Sequence, residues 1–305
     1  MKNLEISEKL FREYFLPVIS KELPEAIPYF AAGLAGEGSD CFGYDDEISQ
    51  DHDCDVRLCI WMEAAAIETY GNAIREILQK MPQELCGRKT DFASEGKSGL
   101  IGTEDFYGRL LGTHNGPQTK QEWLDAEEVM LAAAVNGKVF TDAPVLFTSV
   151  REQLLQYYPE DVRLIRLAKA IGLAAQSGQY NYLRILKRDD AAAAEMAKSI
   201  FIESAVQAVF LLEKTYRPFY KWAFRRMREL GEFGESMADR LGRLYELKGL
   251  EAFDLIEEIS ADIIDRMHLQ GLSEGQSDFL MDHIPELAKR VEDKNLLAEG
   301  IKLVR

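Results

Sequence analysis

Histidine and cysteine are both scarce in this chain, with four of each among 305 residues. The histidines are scattered, which argues against a zinc site built on histidine. Cys54 and Cys59 are too far apart along an extended strand to form a disulfide, and no Cys-x-x-Cys spacing occurs. We therefore expect reduced, mostly buried thiols in a cytoplasmic protein. The cysteines are Cys41, Cys54, Cys59 and Cys86.

Long hydrophobic runs are also missing. No stretch approaches the roughly 20 apolar residues of a membrane helix. The first six residues lack the apolar core of a signal peptide. Hydrophobic residues nevertheless make up 47% of the chain, which is ample for buried cores. We therefore expect a soluble globular protein without a membrane partner, built from one large or two ordinary domains.

Basic residues are outnumbered by acidic ones. The chain has 36 Lys and Arg against 52 Asp and Glu, which gives a formal net charge of −16. Since Lys and Arg supply most non-specific affinity for nucleic acid, this imbalance argues against nucleic acid as a partner. A small or cationic molecule, or a protein, fits the charge better.

What the chain does contain is an acidic segment at residues 38–56. It begins with Gly38-Ser39, and carboxylates then recur at every second position before an alternating strand pattern. Side chains in a strand alternate between faces, so Asp51, Asp53 and Asp55 would project from one face of an extended segment. Like charges on one edge are costly without a cation between them, and hard oxygen ligands suit Mg²⁺ on phosphates. The segment therefore predicts a metal–nucleotide site.

Hydrophobic patterns divide the chain near residue 150. Helix and strand patterns alternate in the first half, whereas the second half shows only apolar residues at three- and four-residue spacing. We predict an α+β fold, with a small mixed-sheet domain at 1–148 followed by an all-α bundle of about five or six helices at 149–305. The predicted strands cover 29–34, 56–62, 99–102 and 138–142. The predicted helices cover 4–19, 63–80, 121–135, 161–176, 191–215, 218–230, 236–247, 252–269 and 273–291.

The spacing inside the acidic segment is informative. Eleven residues (40–50) separate Gly38-Ser39 from Asp51-x-Asp53, and thirteen (40–52) separate it from Asp53-x-Asp55. This arrangement resembles the nucleotidyltransferase superfamily that includes DNA polymerase beta, in which Gly-Ser or Gly-Gly, a spacer and Asp-x-Asp open a strand. Both registers fit, and we favour Asp51 and Asp53 because members often read Ser-Asp-x-Asp and Ser49 lies just upstream.

A closer resemblance rests on several separated motifs, which occur in order along the chain. They are Gly38-Ser39-x-Cys41-Phe42-Gly43-x-Asp45-Asp46 with Ser49-x-Asp51-His52-Asp53, Tyr157-Tyr158-Pro159-x-Asp161-Val162-Arg163, Gly178-Gln179-Tyr180-Asn181-Tyr182 and Tyr216-Arg217-Pro218-Phe219-Tyr220-Lys221-Trp222. These motifs are similar to those of a bacterial family of unknown function whose members are classed as predicted nucleotidyltransferases. The resemblance implies the architecture and nucleotide chemistry, but no named reaction.

The resemblance also implies roles for residues of the acidic segment. Asp51 and Asp53 would bind Mg²⁺ on the phosphates of a nucleoside triphosphate, for which we favour ATP. Ser39 and the backbone N–H groups after Gly38 would hydrogen-bond the β- and γ-phosphates. A hydroxyl of a small-molecule or protein acceptor would then attack the α-phosphorus, with a carboxylate as base.

The base or third carboxylate often comes from a later strand in this superfamily. The predicted strand at 98–101 carries no acid. We take Asp55 as the catalytic substitute, and Asp91, Glu104 and Asp105 are further candidates. The missing carboxylate keeps open an alternative, a catalytically degenerate nucleotide-binding or protein-interaction module. A second alternative is an acidic surface loop in which Asp and Ser act as helix caps.

The motif at 216–222 concentrates aromatic and cationic side chains around a proline. Aromatic faces stack on bases and Lys pairs with phosphates, so we predict that Lys221 contributes to nucleotide binding. The alternative is a corner between two helices packed by aromatic rings. Within the enzyme class, adenylylation of an aminoglycoside-like acceptor and modification of a protein partner also stay open.

Overall fold

The computed structural model describes residues 1–46, 55–143 and 145–301, and only the backbone of Glu299 and Ile301. Asp51 and Asp53 therefore lie outside the described residues. Within the ranges that are described, no helix is both long and apolar enough to cross a membrane.

The chain forms two compact units. One comprises Met1–Gln118 and Ala126–Gln156, and the other comprises Thr119–Asp125 and Tyr157–Arg305. The first unit contains strands and helices, whereas the part of the second unit that the structure describes contains helices and loops. The predicted α+β fold with a helical C-terminal region is confirmed.

Two small sheets form the framework of the first unit. The larger sheet has the strand order β6-β3-β1-β7, and the smaller one has the order β2-β5-β4. The strands are β1 (Phe30–Leu34), β2 (Val56–Arg57), β3 (Cys59–Met62), β4 (Glu84–Leu85), β5 (Arg88–Asp91), β6 (Gly99–Gly102) and β7 (Lys138–Thr141). Strand β1 runs antiparallel to β3 and β7, β3 runs parallel to β6, and β2 runs parallel to β5.

The predicted strand at 56–62 is split between these two sheets. Leu58 alone separates β2 from β3, so the chain passes directly from the smaller sheet into the larger one. Behind β3, the ring of Trp61 stacks on Phe147 at a centroid distance of 4.0 Å. The phenol of Tyr107 donates a hydrogen bond to the Phe147 carbonyl at 2.8 Å. This aromatic cluster fixes the larger sheet against the helices that cover it.

The helices of the first half differ from prediction in several places. They are α1 (Asn3–Lys9), α2 (Leu16–Glu22), α3 (Ala64–Gln79), α4 (Thr103–Leu111), α5 (Lys120–Asp125), α6 (Glu128–Val135) and α7 (Leu146–Leu155). Helices α4 and α7 have no counterpart among the predicted helices. The prediction of one helix at 121–135 is wrong, because α5 and α6 belong to different units. The ring of Trp123 in α5 lies 5.8 Å from that of Tyr158 in the second unit.

The second unit is built around α8, α10 and α13. Its helices are α8 (Glu160–Ala174), α9 (Leu183–Leu186), α10 (Ala191–Leu212), α11 (Tyr220–Arg228), α12 (Gly231–Arg243), α13 (Gly249–Leu269), α14 (Ile284–Arg290) and α15 (Lys294–Ile301). The helix predicted at 273–291 begins only at Leu280, with a 3-10 turn (Leu280–His283) that leads into α14. The Ser273 hydroxyl lies 2.6 Å from Nδ1 of His283 and donates to Glu286 at 3.0 Å, so it holds a loop instead of capping a helix.

Glycine is required at the centre of the second unit. Gly178 lies in a π-helical segment (Ala175–Tyr182) that continues α8. A Cβ atom at this position would lie 2.3 Å from the Phe201 ring on α10 and 2.9 Å from Ile256 on α13. Both neighbours are fully buried and have no space to move. The three helical segments can therefore pack this closely only because residue 178 is a glycine.

We predict that Gly178→Ala destabilises the protein by about 2 kcal/mol, because the added methyl overpacks a rigid core. The matched control is Gly242→Ala on α12, where a Cβ meets nothing within 4 Å. That variant is expected to gain roughly 0.5–1 kcal/mol from higher helix propensity. Urea denaturation of both proteins measures the difference, and equal stability of the two variants would contradict the close-packing argument.

A buried carboxylate organises one edge of the second unit. Asp161 accepts a hydrogen bond from Nζ of Lys120 at 2.6 Å. It also accepts hydrogen bonds from the backbone N–H groups of Glu292 and Asp293 at 2.8 and 3.1 Å. Burial opposes ionisation, but Lys120 and the two N–H groups outweigh it and lower the pKa of the Asp161 carboxyl. The charged form is therefore the stabilising one.

We predict that Asp161→Asn costs about 2 kcal/mol near pH 7 and progressively less as the pH falls below about 3.9. A carboxyl whose pKa is lower in the folded than in the unfolded protein stabilises the folded state at pH values above the unfolded pKa of about 3.9. This contribution is lost as the pH falls through the folded-state pKa. The measurement is urea denaturation across this pH range. Asp254→Asn, an exposed change on α13, is the control and should show no such dependence.

Candidate functional site

The Gly-Ser motif forms a loop directly after β1. The Asn136 side chain fixes the entry to this loop, since it donates to the Gly36 carbonyl at 2.7 Å and accepts from the Gly36 N–H at 2.9 Å. The loop then turns on itself. The Ser39 carbonyl accepts hydrogen bonds from the backbone N–H groups of Phe42 and Tyr44, at 3.2 and 2.8 Å. The backbone of the motif is thus held in one conformation.

Gly38 has a conformation that other residues rarely adopt, with φ at +138°. A Cβ atom there would lie 2.4 Å from a carboxylate oxygen of Asp40 and 2.7 Å from the Arg57 guanidinium. Gly38 is exposed and Ser39 is half-buried. The glycine is therefore required by its positive φ and by the close packing of Asp40 and Arg57 against the loop backbone.

A buried ion pair connects this loop to strand β2. The Arg57 guanidinium donates to both oxygens of Asp40, from Nη2 at 2.6 Å and from Nε at 3.1 Å. The two side chains are only 10% and 6% exposed. Nη2 also reaches the Glu37 carbonyl at 3.2 Å, and Nη1 reaches the Lys97 carbonyl at 3.3 Å. One arginine thereby joins the loop, β2 and the segment that precedes β6.

Burial and neighbouring charges shift the pKa values of Arg57 and of the two cysteines beside it. Burial alone would lower the pKa of Arg57, but neighbouring Cys41 and Asp40 more than offset that effect and raise it. Burial raises the pKa of the Cys59 thiol to about 12, and it raises that of Cys41 well above its ordinary value. The two thiols are therefore protonated at neutral pH and act as packing groups beside a permanent cation.

Asp55 lies at the N-terminal end of β2. It is exposed and precedes the strand by one residue. Arg57, two residues further on, is buried and contacts Asp40 of the Gly-Ser loop. The Asn3 side chain donates to its backbone carbonyl at 3.4 Å. Because Asp51 and Asp53 lie outside the described residues, the choice between the two Asp-x-Asp registers stays a prediction.

A further carboxylate, Asp91, lies on the strand next to β2. Strands β2 and β5 are parallel, and Arg57 is the register partner of Asp91. One oxygen of Asp91 accepts from the N–H groups of Ala93 and Ser94 at 2.9 and 3.2 Å, and the other accepts from the Ser98 hydroxyl at 2.7 Å. Although burial opposes it, these hydrogen bonds lower the pKa of Asp91. Asp91 is thus an ionised carboxylate in a fixed position.

Two other candidates for the third carboxylate lie at the opposite edge of the larger sheet. Glu104 and Asp105 lie in the first turn of α4, which follows the C-terminal end of β6. Since β6 runs parallel to β3, that end is the edge of the sheet opposite to the one that Asp55 approaches. They belong instead to the lining of an open cleft of about 370 Å³ between α3 and α4.

Lys221 belongs to the second unit, at the start of α11. It is exposed, and its ammonium lies 5.3 Å from the centroid of the Trp222 ring. The rings of Phe219 and Tyr220 are also exposed, at 48% and 73%, and lie 4.4 Å apart. In contrast, Tyr216 is buried. The motif at 216–222 therefore divides into a packed corner and an exposed aromatic–cationic surface.

Tyr216 packs against two other tyrosines of the second unit. Its ring centroid lies 4.7 Å from Tyr157 and 5.0 Å from Tyr158. The corner interpretation holds for this residue, whereas Phe219, Tyr220 and Lys221 keep the accessibility that a ligand needs. Among the residues that the structure describes, no group of three His, Cys, Asp or Glu side chains is arranged to hold a metal.

Sequence reasoning missed the residues that hold the loop, Asp40, Arg57 and Asn136. One signal was present for Arg57, which interrupts an otherwise apolar run between Val56 and Met62. A cation inside a buried strand needs a partner, and the acidic loop is the nearest source of one. No comparable local signal exists for Asn136, which is 100 residues away from Gly36 in sequence.

Three comparisons place the chain among known proteins. The family model described as "Domain of unknown function (DUF4037)" matches residues 123–223. No curated protein matches the chain. Among solved structures, the chain is similar to the crystal structure of a nucleotidyltransferase-like protein from Exiguobacterium sibiricum, with 11% identity, a TM-score of 0.38 and coverage of 97% of this chain and 91% of that chain.

We predict that Arg57→Met destabilises the protein by about 3–5 kcal/mol, because it leaves the Asp40 carboxylate buried without its cation. Adding Asp40→Asn should recover part of this loss, since the orphaned charge is then removed. Arg75→Met, an exposed change on α3, should stay within about 0.5 kcal/mol of the parent. Urea denaturation gives all three values, and a double variant less stable than Arg57→Met would contradict the ion-pair account.

Proposed function

We propose that this protein is a Mg²⁺-dependent nucleotidyltransferase, which transfers a nucleoside monophosphate from a nucleoside triphosphate to a hydroxyl of a small-molecule or protein acceptor. The observation that carries the proposal is the Gly-Ser loop, since Gly38 has a positive φ and is exposed. The buried Asp40–Arg57 pair connects the loop to β2, the strand on which the acidic segment ends. ATP is the proposed donor.

The loop supplies the phosphate-binding part of the site. Gly38 allows the phosphates to approach the backbone, and the Ser39 hydroxyl is placed to donate a hydrogen bond to a phosphate oxygen. The turn closed by the N–H groups of Phe42 and Tyr44 keeps Ser39 in position. A loop that is already ordered loses less entropy on binding than a flexible one.

The residues present suit a magnesium ion in their chemistry. Carboxylate oxygens are its preferred protein ligands, and Asp51 and Asp53, or Asp53 and Asp55, would supply them. Such an ion neutralises charge on the phosphates as pyrophosphate leaves. Asp55 supports this assignment because it is exposed and directly precedes β2.

The transfer itself requires one proton acceptor. The acceptor oxygen forms a bond to the α-phosphorus while the bond from that phosphorus to the bridging oxygen of pyrophosphate breaks, and the hydroxyl proton passes to a carboxylate. Both oxygens of Asp91 already accept hydrogen bonds, and its lowered pKa makes it a poor base. Asp91 therefore suits positioning, and we assign the role of base to Asp55.

Lys221 of the second unit is retained in this proposal as a nucleotide-binding residue. The exposed rings of Phe219 and Tyr220 offer faces on which a base can stack, and Lys221 adds a cation beside them. The support is the exposure of all three side chains, which a purely structural corner would not require.

One observation favours a second candidate, a module that binds the nucleotide without transferring it. Asp91, the carboxylate held beside β2, already uses both oxygens to accept hydrogen bonds from the turn at 93–98. Such a protein would bind Mg-ATP but release no pyrophosphate. Incubation with α-labelled ATP separates the two candidates, since transfer requires label in the acceptor and pyrophosphate in solution.

We predict that Asp53→Asn weakens Mg-ATP binding at least about tenfold, since a charged ligand of the ion is lost. Calorimetric titration with Mg²⁺ and ATP measures the affinity, and Asp254→Asn on α13 is the charge-matched control. Loss in Asp51→Asn but not in Asp55→Asn supports the first Asp-x-Asp register, and the reverse result supports the second. Unchanged affinity in Asp53→Asn overturns the site assignment.

A further inference from the structure

A pocket in the second unit lies between helices α8 and α10. Its volume is about 200 Å³. Helix α8 contributes Arg166, Lys169, Ala170 and Leu173 to the walls, and α10 contributes Glu203, Ser204 and Gln207. The pocket is open to solvent on one side, and its size suits one small molecule.

Two cations line one wall of this pocket. Arg166 and Lys169 are three residues apart on α8, so they lie on the same face of the helix. Arg166 is held in place, because its Nη2 donates to the Leu124 carbonyl at 2.8 Å and its guanidinium lies 4.9 Å from the centroid of the Tyr158 ring. Lys169 makes no hydrogen bond or ion pair with any residue in the described part of the chain.

Ser204 adds a hydroxyl to the opposite wall. Serines within helices usually donate to the carbonyl four residues earlier, and Ser177, Ser199 and Ser260 do so here at 2.6 to 2.8 Å. Ser204 is only 5% exposed and makes no such bond among the described residues. Its hydroxyl therefore retains a donor for a molecule in the pocket.

The single carboxylate of the lining is already neutralised. Glu203 accepts a hydrogen bond from Arg217, with which it forms an ion pair. The other charged side chains of the lining are the cations Arg166 and Lys169, in a chain whose formal net charge is −16. A local concentration of positive charge on an acidic protein selects for a small anion.

We propose that this pocket binds a small phosphate monoester. The phosphate would accept from Lys169, Arg166 and Ser204, three donors that match its three terminal oxygens. Ala170 and Leu173 give an apolar surface for the carbon part of the ligand, which inorganic phosphate would leave uncovered. The ester should therefore bind more tightly than the free ion. This site is independent of the nucleotide chemistry proposed above.

The test is calorimetric titration of the full chain with glycerol 3-phosphate at constant ionic strength. Inorganic phosphate and glycerol are titrated in parallel. We expect binding of the ester, weaker binding of phosphate and none of glycerol. Equal affinity for the ester and phosphate would overturn the role of the apolar surface, and no binding of either would overturn the proposal.

Three variants and a control locate the site. Lys169→Gln should weaken ester binding at least about tenfold, and Ser204→Ala about threefold or more. Glu203→Gln should strengthen binding, because it removes the negative charge that Arg217 compensates and leaves that guanidinium without its ion-pair partner. Lys187→Gln, an exposed change of equal charge near the end of α9, should have no effect. The same loss in Lys187→Gln as in Lys169→Gln would show a non-specific charge effect and overturn the proposal.

Discussion

The ion pair between Asp40 and Arg57 is the constraint on which the candidate site depends. Removing two charges from water is expensive, and this pair is retained only because its geometry is bidentate and because two backbone carbonyls satisfy the remaining guanidinium donors. The same contacts determine where the Gly-Ser loop lies relative to β2. The Arg57 side chain therefore fixes the positions of the loop and of β2 relative to each other.

In the second unit, the packing depends instead on a small residue that lets helices approach closely. Gly178 lets the end of α8 lie against Phe201 and Ile256, and Asp161 fixes the other end of the same helix to the backbone of residues 292 and 293. Helix α8 is therefore held at both ends. This rigidity matters for the pocket along its outer face, because a preorganised pair of cations binds an anion at less entropic cost than mobile side chains do.

Regular patterns in the sequence were sufficient to predict most elements. The strands at 30–34, 99–102 and 138–141 and the helices α3, α10 and α13 have clear hydrophobic periodicity, and all were predicted close to their observed bounds. Strand β5 escaped prediction because its sequence, Arg-Lys-Thr-Asp, is polar and partly exposed. The break between α5 and α6 has no local signal, since it arises from the partition of the chain between two units.

The candidate site was predictable to a smaller extent. The positive φ of Gly38 and the exposure of Asp55 suit the roles that the Gly-Ser and Asp-x-Asp pattern suggested, whereas the metal ligands themselves stay a prediction. The supporting residues could not be found in this way. Arg57, Asp40 and Asn136 act through contacts between distant parts of the sequence, and a single sequence carries no record of such pairs.

The two hydrogen bonds between the Asn136 side chain and Gly36 have a consequence for the chemical stability of the protein. Asn136 is followed by Gly137, and an asparagine before glycine is prone to deamidation through attack of the next backbone nitrogen on its amide. Here both ends of that amide are hydrogen-bonded to Gly36, so cyclisation must first break two bonds. If the reaction does occur, the resulting carboxylate faces the Gly36 carbonyl and repels it. Ageing of one asparagine would then loosen the start of the loop that carries Gly38 and Ser39.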